Sequence, residues 1–266
     1  MYDIITIGSA TVDALVKTEF SEMLHGKHKE EVIAYPVGAK ILITEMNITT
    51  GGGGTNAAVA LSRLGHKVAF VGKIGSKGNS QRVLEELKKE KVDTSFVVRS
   101  KTGRTGYSII LDSKKHDRTI LTFRGSNNDL KFNEINFKKL KTKWFYFSSM
   151  MGTSFKTLEK LAGYAEKNNI KIAFNISSYL AKKGASYLGS ILKKTSILVL
   201  NKEESELLVG KGSVEAMLKK LIRLGPEISA ITDGEKGVYV LHNNEFYYGK
   251  PNKVKVVETT GAGDAF

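Results

Sequence analysis

The sequence predicts an α/β protein: a mostly parallel central sheet with helices on both faces, and a small antiparallel β flap inserted into it. Short apolar runs ending in Gly, Asn or Ser alternate with amphipathic helical patterns, which is the signature of βαβ units. Two strand-rich stretches break that alternation and supply the flap.

The elements follow in chain order. DIITIG (3–8) opens the core as a buried strand. ALVKTEF (14–20) and EVIAYPVGAKILITEMNI (31–48) do not fit a parallel core; the second reads as a strand pair turning at residues 36–38, around Pro36 and Gly38. Residues 55–64 form a helix with Ala57, Ala60, Leu61 and Leu64 on one face, ending at Gly65 in a C′ position. VAFVG (68–72) is the next core strand. TGRTGYSIILDSKKHDRTILTFRG (102–125) reads as a hairpin with strands near 105–111 and 118–124. KWFYFS, IKIAFN, SILVLN and ISAIT complete the core, and a helix over 155–167 carries Leu158, Leu161, Ala162 and Ala165 inward. Ligands on such sheets gather at the carboxyl ends of the strands, and a flap over that cleft excludes water.

Composition narrows the function classes. The 266 residues give one sizeable domain with an ordinary apolar content, and the formal charge is +14. The lysines are spread over QRVLEELKKEKV, SFKTLEKLAGYAEKNNIKI and VEAMLKKLIRLG, interleaved with glutamates, so they read as solvated helix faces rather than a specific nucleic-acid surface. The same charge favours an anionic nucleotide. There is no cysteine, which excludes disulfides, thiolate metal sites and cysteine nucleophiles and fits a reducing cytoplasm. No apolar run approaches the roughly 20 residues of a membrane span, so no membrane partner is expected.

Four stretches carry chemistry. GGGGTNAAVALSRLG (51–65) feeds glycines without side chains into a helix whose first turn holds Asn56, both donor and acceptor; this suits a polyhydroxy ligand, although a flexible connection would read the same way. It lacks the Rossmann spacing after DIITIG and has no Walker ending. In LVLNKEESELL, Asn201 and Glu204 make a capping box, and the carboxylate equally suits magnesium, directly or through water. In ITDGEKGVYVL, Thr232 and Gly234 fit either hairpin chemistry or a phosphate contact. In ETTGAGDAF, backbone N–H groups can form an anion hole while Asp264 takes a proton from an attacking hydroxyl.

Taken in order, GSATVDAL, GGGGTNAAVAL, RGSNNDL, LNKEESELL, TDGEKG and TTGAGDAF resemble the PfkB carbohydrate kinases, the ribokinase-like family, over essentially the whole chain. The resemblance implies a ribokinase-like three-layer α/β/α sandwich over 1–266 with a β lid drawn from segments near 12–20, 30–47 and 103–124. It implies transfer of the γ-phosphoryl of ATP, with Mg2+, to a hydroxyl of a small sugar; a nucleoside or phosphosugar kinase, or an inactive remnant that only binds ligand, are the alternatives. By motif position Asp264 is the base and Gly261, Ala262 and Gly263 the anion hole. Asp13, Gly52, Gly53 and Asn56 hold the acceptor, Asn201, Thr232 and Gly234 contact nucleotide, and Glu204 organises magnesium. A homodimer through the lid is also implied.

The pattern departs in places. Thr11 stands where ribose-specific members carry Asn, and Gly53 where many carry a charge, which weighs against ribose. Glu258 replaces the Asp of members activated by a monovalent cation, leaving that requirement open. The family continues beyond the helix opened by GAGD, so the sequence leads us to expect a frayed turn at 261–266 and little activity from the isolated chain.

Overall fold

Nine strands pair into one sheet among the described residues, and six of them are the core strands expected from sequence. The computed structural model describes residues 1–19, 22–25, 31–112, 118–252 and 261–266. The chain opens with β1 (Tyr2–Ile7), β2 (Thr11–Thr18), β3 (Glu22–His25), β4 (Glu31–Ala34) and β5 (Ile43–Gly51). Then come α1 (Gly53–Arg63), β6 (Val68–Ile74), α2 (Asn79–Lys89), β7 (Val97–Arg99), β8 (Gly106–Asp112) and β9 (Arg118–Phe123). After a 3-10 turn at Gly125–Asn128 follow β10 (Thr142–Phe147), α3 (Gly152–Lys167), β11 (Lys171–Asn175), α4 (Ser178–Ala181), α5 (Ala185–Leu192) and β12 (Ile197–Asn201). The last elements are α6 (Lys202–Val209), α7 (Val214–Ile222), β13 (Ile228–Thr232), β14 (Val238–His242), β15 (Glu245–Gly249) and α8 (Ala262–Ala265).

The central sheet runs β15-β14-β13-β12-β11-β10-β1-β6-β7. Neighbours from β7 to β13 are parallel, and β14 and β15 return antiparallel. One face of β1, β10, β11 and β12 buries Ile5, Phe145, Phe147, Ile172, Phe174 and Leu198 against α3, α5 and α7. Truncating one of those aromatics would cost about 3–5 kcal/mol, because transfer and cavity terms add. On the opposite face α1 and α2 cover β1 and β6 through Ala58, Val83 and Leu87, packed on Val68 and Phe70.

Helix α1 differs in detail from expectation. It begins at Gly53 rather than residue 55, and its buried face is Gly54, Thr55, Ala57 and Ala58. Ala60 and Leu61 are half-buried, and Leu64 is 72% exposed, because the helix turns away at its C-terminus. The cap itself is as expected. Gly65 has φ +90, its N–H bonds the Ser62 carbonyl at 2.9 Å and the His66 N–H bonds the Leu61 carbonyl at 3.2 Å, a Schellman ending.

The lid is a four-stranded sheet in the order β5-β2-β8-β9. The expected hairpin over 102–125 is present as β8 and β9. The expected pair over 31–48 is not. β4 pairs instead with β3 in a separate two-stranded sheet, while β5 runs antiparallel to β2 from Thr11↔Gly51 to Thr18↔Ile43. Pro36 offers no N–H to a ladder, and the long register with β2 satisfies far more of β5's backbone than the short β4 could. Gly51, Thr11 and Gly106 share one rung where the lid meets the core. Just behind it Asn127 clasps residue 10: its Oδ1 accepts the Ala10 N–H and its Nδ2 donates to the Ala10 carbonyl, both at 2.9 Å.

Candidate active site

The site is built around the start of α1. Gly52 has φ +104, and a Cβ there would lie 2.5 Å from the Ser9 carbonyl oxygen, so only glycine fits. That carbonyl accepts the N–H groups of Gly54 and Thr55 at 3.1 and 3.3 Å, which satisfies the helix's first donors. Thr55 Oγ1 donates to the Gly51 carbonyl at 2.6 Å and locks the turn. Asn56, thus fixed in the first turn, donates from Nδ2 to Asp264 Oδ2 at 2.8 Å, across 208 residues of sequence.

Asp264 lies in α8, half-buried, and its carboxyl is pushed above the ordinary aspartate range. Burial is the main cause; the charge of Asp13 adds to it, and the Asn56 bond works the other way. Asp13, on β2, has one carboxylate oxygen, Oδ1, buried without a hydrogen-bond partner. Its other oxygen occupies the space a side chain on Gly51 would need. A side chain on Gly53 would likewise meet Ser148 Oγ and come within 3.0 Å of Asp264 Oδ1.

A cavity of ≈ 400 Å³ opens beside these groups, between α1 and the inner face of the lid. Asp13, Leu15, Thr49, Asn56, Ile110 and Gly261 line it, with Arg63 and Glu86 at its wall. Four of the residues singled out in sequence, Asp13, Asn56, Gly261 and Asp264, therefore meet at one place. Gly52 and Gly53 shape the helix start beneath them. Ala262 belongs to the α8 backbone, and the carbonyl of Gly263 accepts from Asn175 Nδ2 at 3.2 Å.

The remaining candidates lie farther along the carboxyl edge. Asn201 and Thr232 are register partners at the ends of β12 and β13. The capping box forms in full: Asn201 Oδ1 accepts the Glu204 N–H at 2.8 Å, and the Asn201 N–H donates to Glu204 Oε2 at 3.0 Å. Burial raises the Glu204 carboxyl, its backbone hydrogen bonds oppose this, and the charges of Glu203 and Asp264 add to the rise. Gly234 opens the turn after β13 at φ +51, with empty space where a side chain would point. Glu258 lies outside the described residues.

Three contributors escaped the sequence reading. Ser148 directly follows β10 and Asn175 ends β11, so the strand-end rule could have found them. Tyr146 had no such signal: its hydroxyl is buried without a partner and pushed up by burial and by Asp264.

Residues 4–266 match the pfkB family carbohydrate kinases. An uncharacterized sugar kinase of Archaeoglobus fulgidus is 32% identical over 213 residues, covering 78% of this chain and 83% of that protein. The ribokinase of Staphylococcus aureus is 26% identical over 236 residues, covering 86% and 76% of the two chains. The crystal structure of ribokinase from Thermotoga maritima superposes with a TM-score of 0.79 at 25% identity, over 99% of this chain and 82% of that one. The family match spans nearly the whole chain and the fold accords with it, so the chain belongs to the pfkB family of carbohydrate kinases.

Proposed function

We propose that the protein transfers the γ-phosphoryl group of ATP to a hydroxyl of a small sugar, with Asp264 as general base. The observation that carries this reading is the Asn56–Asp264 contact beside a cavity walled by Asp13, whose buried oxygen lacks a donor. A sugar hydroxyl supplies such a donor, and a second hydroxyl directed at Asp264 would lose its proton to a carboxylate whose raised pKa suits the task. Gly52 and Gly53, packed on their side-chain faces against Ser9 and Ser148, offer the acceptor only backbone at the start of α1. The N–H groups of Gly261, Ala262 and Gly263 serve as the anion hole for the transferring phosphoryl group. Asn201, Thr232 and Gly234 hold the nucleotide at the other end of the edge.

Magnesium fits the donor set. Glu204 is a desolvated carboxylate held by backbone hydrogen bonds from Asn201 and Ser178, and a single carboxylate with waters and phosphates is the usual way proteins hold this ion. Bound there, it would neutralise charge on the phosphates. No group of three or more acidic or histidine side chains is poised for a metal among the described residues.

The lid covers the cavity with Leu15 and Ile110 and limits water there. Its outer face carries Ile109 and Leu121, cross-strand partners that are 38% and 53% exposed, which supports a homodimer through the lid. No helix among the described residues is long and apolar enough to cross a membrane; the cysteine-free composition supports a cytoplasmic location.

The test is a phosphotransfer screen over sugars, sugar phosphates and nucleosides with ATP and magnesium. D13A should raise the acceptor KM by about ten-fold or more with ATP affinity retained. A fall in ATP affinity instead would show the two pockets assigned the wrong way round.

A further inference from the structure

We propose that Arg124 is an anion-binding residue of the acceptor site, so that the acceptor carries a carboxylate or phosphate besides the hydroxyl that is phosphorylated. This rests on the kinase reading above. Arg124 follows the last lid strand, β9, and leads into the 3-10 turn Gly125–Asn128. Its side chain is half-buried between that turn and the segment after β10. Nε donates to Asn128 Oδ1 at 3.0 Å, and Nη2 reaches the Ser149 carbonyl at 3.5 Å. Both acceptors are neutral. Among the described residues no carboxylate pairs with this guanidinium, and Nη1 has no hydrogen-bond partner.

The chain treats its other well-placed cations differently. Arg63, largely exposed, makes two bonds to Glu90, at 2.8 and 2.6 Å. Lys73, buried on β6, reaches both oxygens of Glu134 at 2.7 and 2.9 Å. Arg124 alone of these three is taken out of water without a counter-charge, and burial lowers its pKa accordingly. Two neutral oxygens could be met by a neutral side chain; a charged fork with unused donors is matched to a carboxylate or phosphate.

Its position selects the acceptor over the nucleotide. Ser149 adjoins Ser148, whose hydroxyl fills the space over Gly53 beside Asp264. Arg124 is thus anchored at the β10 end of the carboxyl edge, where the lid joins, and away from Asn201 and Thr232 at the ends of β12 and β13. Tyr179 is the titratable group that faces it.

The experiment uses the full chain, its R124Q and R124K variants, and matched acceptors: D-glucose, D-gluconate and D-glucose 6-phosphate, with the corresponding ribose series. Binding is measured by calorimetry and turnover by phosphotransfer. Expected is a preference of about ten-fold or more for one anionic member, lost in R124Q through KM rather than kcat, with R124K intermediate and the neutral sugar unaffected. The gluconate and phosphate arms tell the two anions apart. Equal use of neutral and anionic acceptors, or an R124Q effect that is the same on both, overturns the proposal and leaves Arg124 a clamp on the Ser149 segment. Where turnover fails with every acceptor, calorimetry decides: Arg124-dependent binding of an anionic sugar upholds the anion site, and Arg124-independent binding overturns it.

Discussion

The two ends of the carboxyl edge are built by opposite means. Over β1 and β10 the groups are crowded and come from distant parts of the chain: Asn56 meets Asp264, Asp13 fills the space above Gly51, and Ser148 fills that above Gly53. Over β12 and β13 the contacts are local, with Asn201 and Glu204 three residues apart and open space beside Gly234. Crowding of long-range partners restricts the shape of a ligand, whereas a locally capped turn offers backbone and charge to many ligands alike. On the proposed reading, the first suits a choosy acceptor pocket and the second a common phosphate donor.

The largest test of this contrast is D264N. The amide keeps the contact with Asn56 but cannot accept the proton, so turnover should fall by at least about 100-fold while nucleotide binding and Tm hold. Unchanged turnover would remove Asp264 from the chemistry. Next is G53A, which drives a methyl into Ser148 and toward Asp264. A displacement of about 1 Å there should lower kcat/KM by up to ~100-fold, and S148G should restore part of it. If G53A is silent, the crowding has no bearing on the reaction.

A smaller and more diagnostic effect concerns pH. Asp264 must be ionised to act, so activity should decline as pH falls through its raised pKa. D13N removes a neighbouring negative charge and should move that acidic limb to lower pH. N56A removes the bond that favours the carboxylate and should move it to higher pH. Limbs that stay put in both variants would mean that another group titrates. The smallest effect belongs to the open end: N201A should cost about 1 kcal/mol through the lost cap, a few degrees in Tm, whereas N201S should keep the cap. A raised ATP KM in N201S at unchanged Tm would mark Asn201 as a nucleotide contact.

What could be read in sequence was what is local or periodic. The six core strands, the Gly65 ending of α1 and the Asn201–Glu204 box each rest on residues within a few positions of one another. The pairing of β4 with β3 rather than β5 is a choice among competing ladders, which the alternation of apolar residues does not encode. Leu64 kept the helical period yet left the core because α1 is tangent to the sheet only through its first turns. Asp264 and Asn56 were each legible as types, but their contact depends on a fold that joins opposite ends of the chain. The isolation of Arg124 was invisible, since a missing counter-charge is a property of surroundings, not of a residue.

The Asn127 clasp on Ala10 also sets a fulcrum. Gly106 has no side chain to obstruct it, and β2 and β8 both leave the core at that rung, so the lid is pinned there, with Arg82 Nη1 on α2 adding an exposed hold on the Ile48 carbonyl at 3.0 Å. Asp13 stands about 10 Å along β2 from the pin and Lys17 about 23 Å, at the rise of an extended strand. A swing of ~10° therefore carries Lys17 and its ion-pair partner Glu45 about 4 Å but Asp13 only about 2 Å. On the proposed reading, such a swing would leave Asp13 nearly stationary against the acceptor while the lid's far edge travels across the entrance.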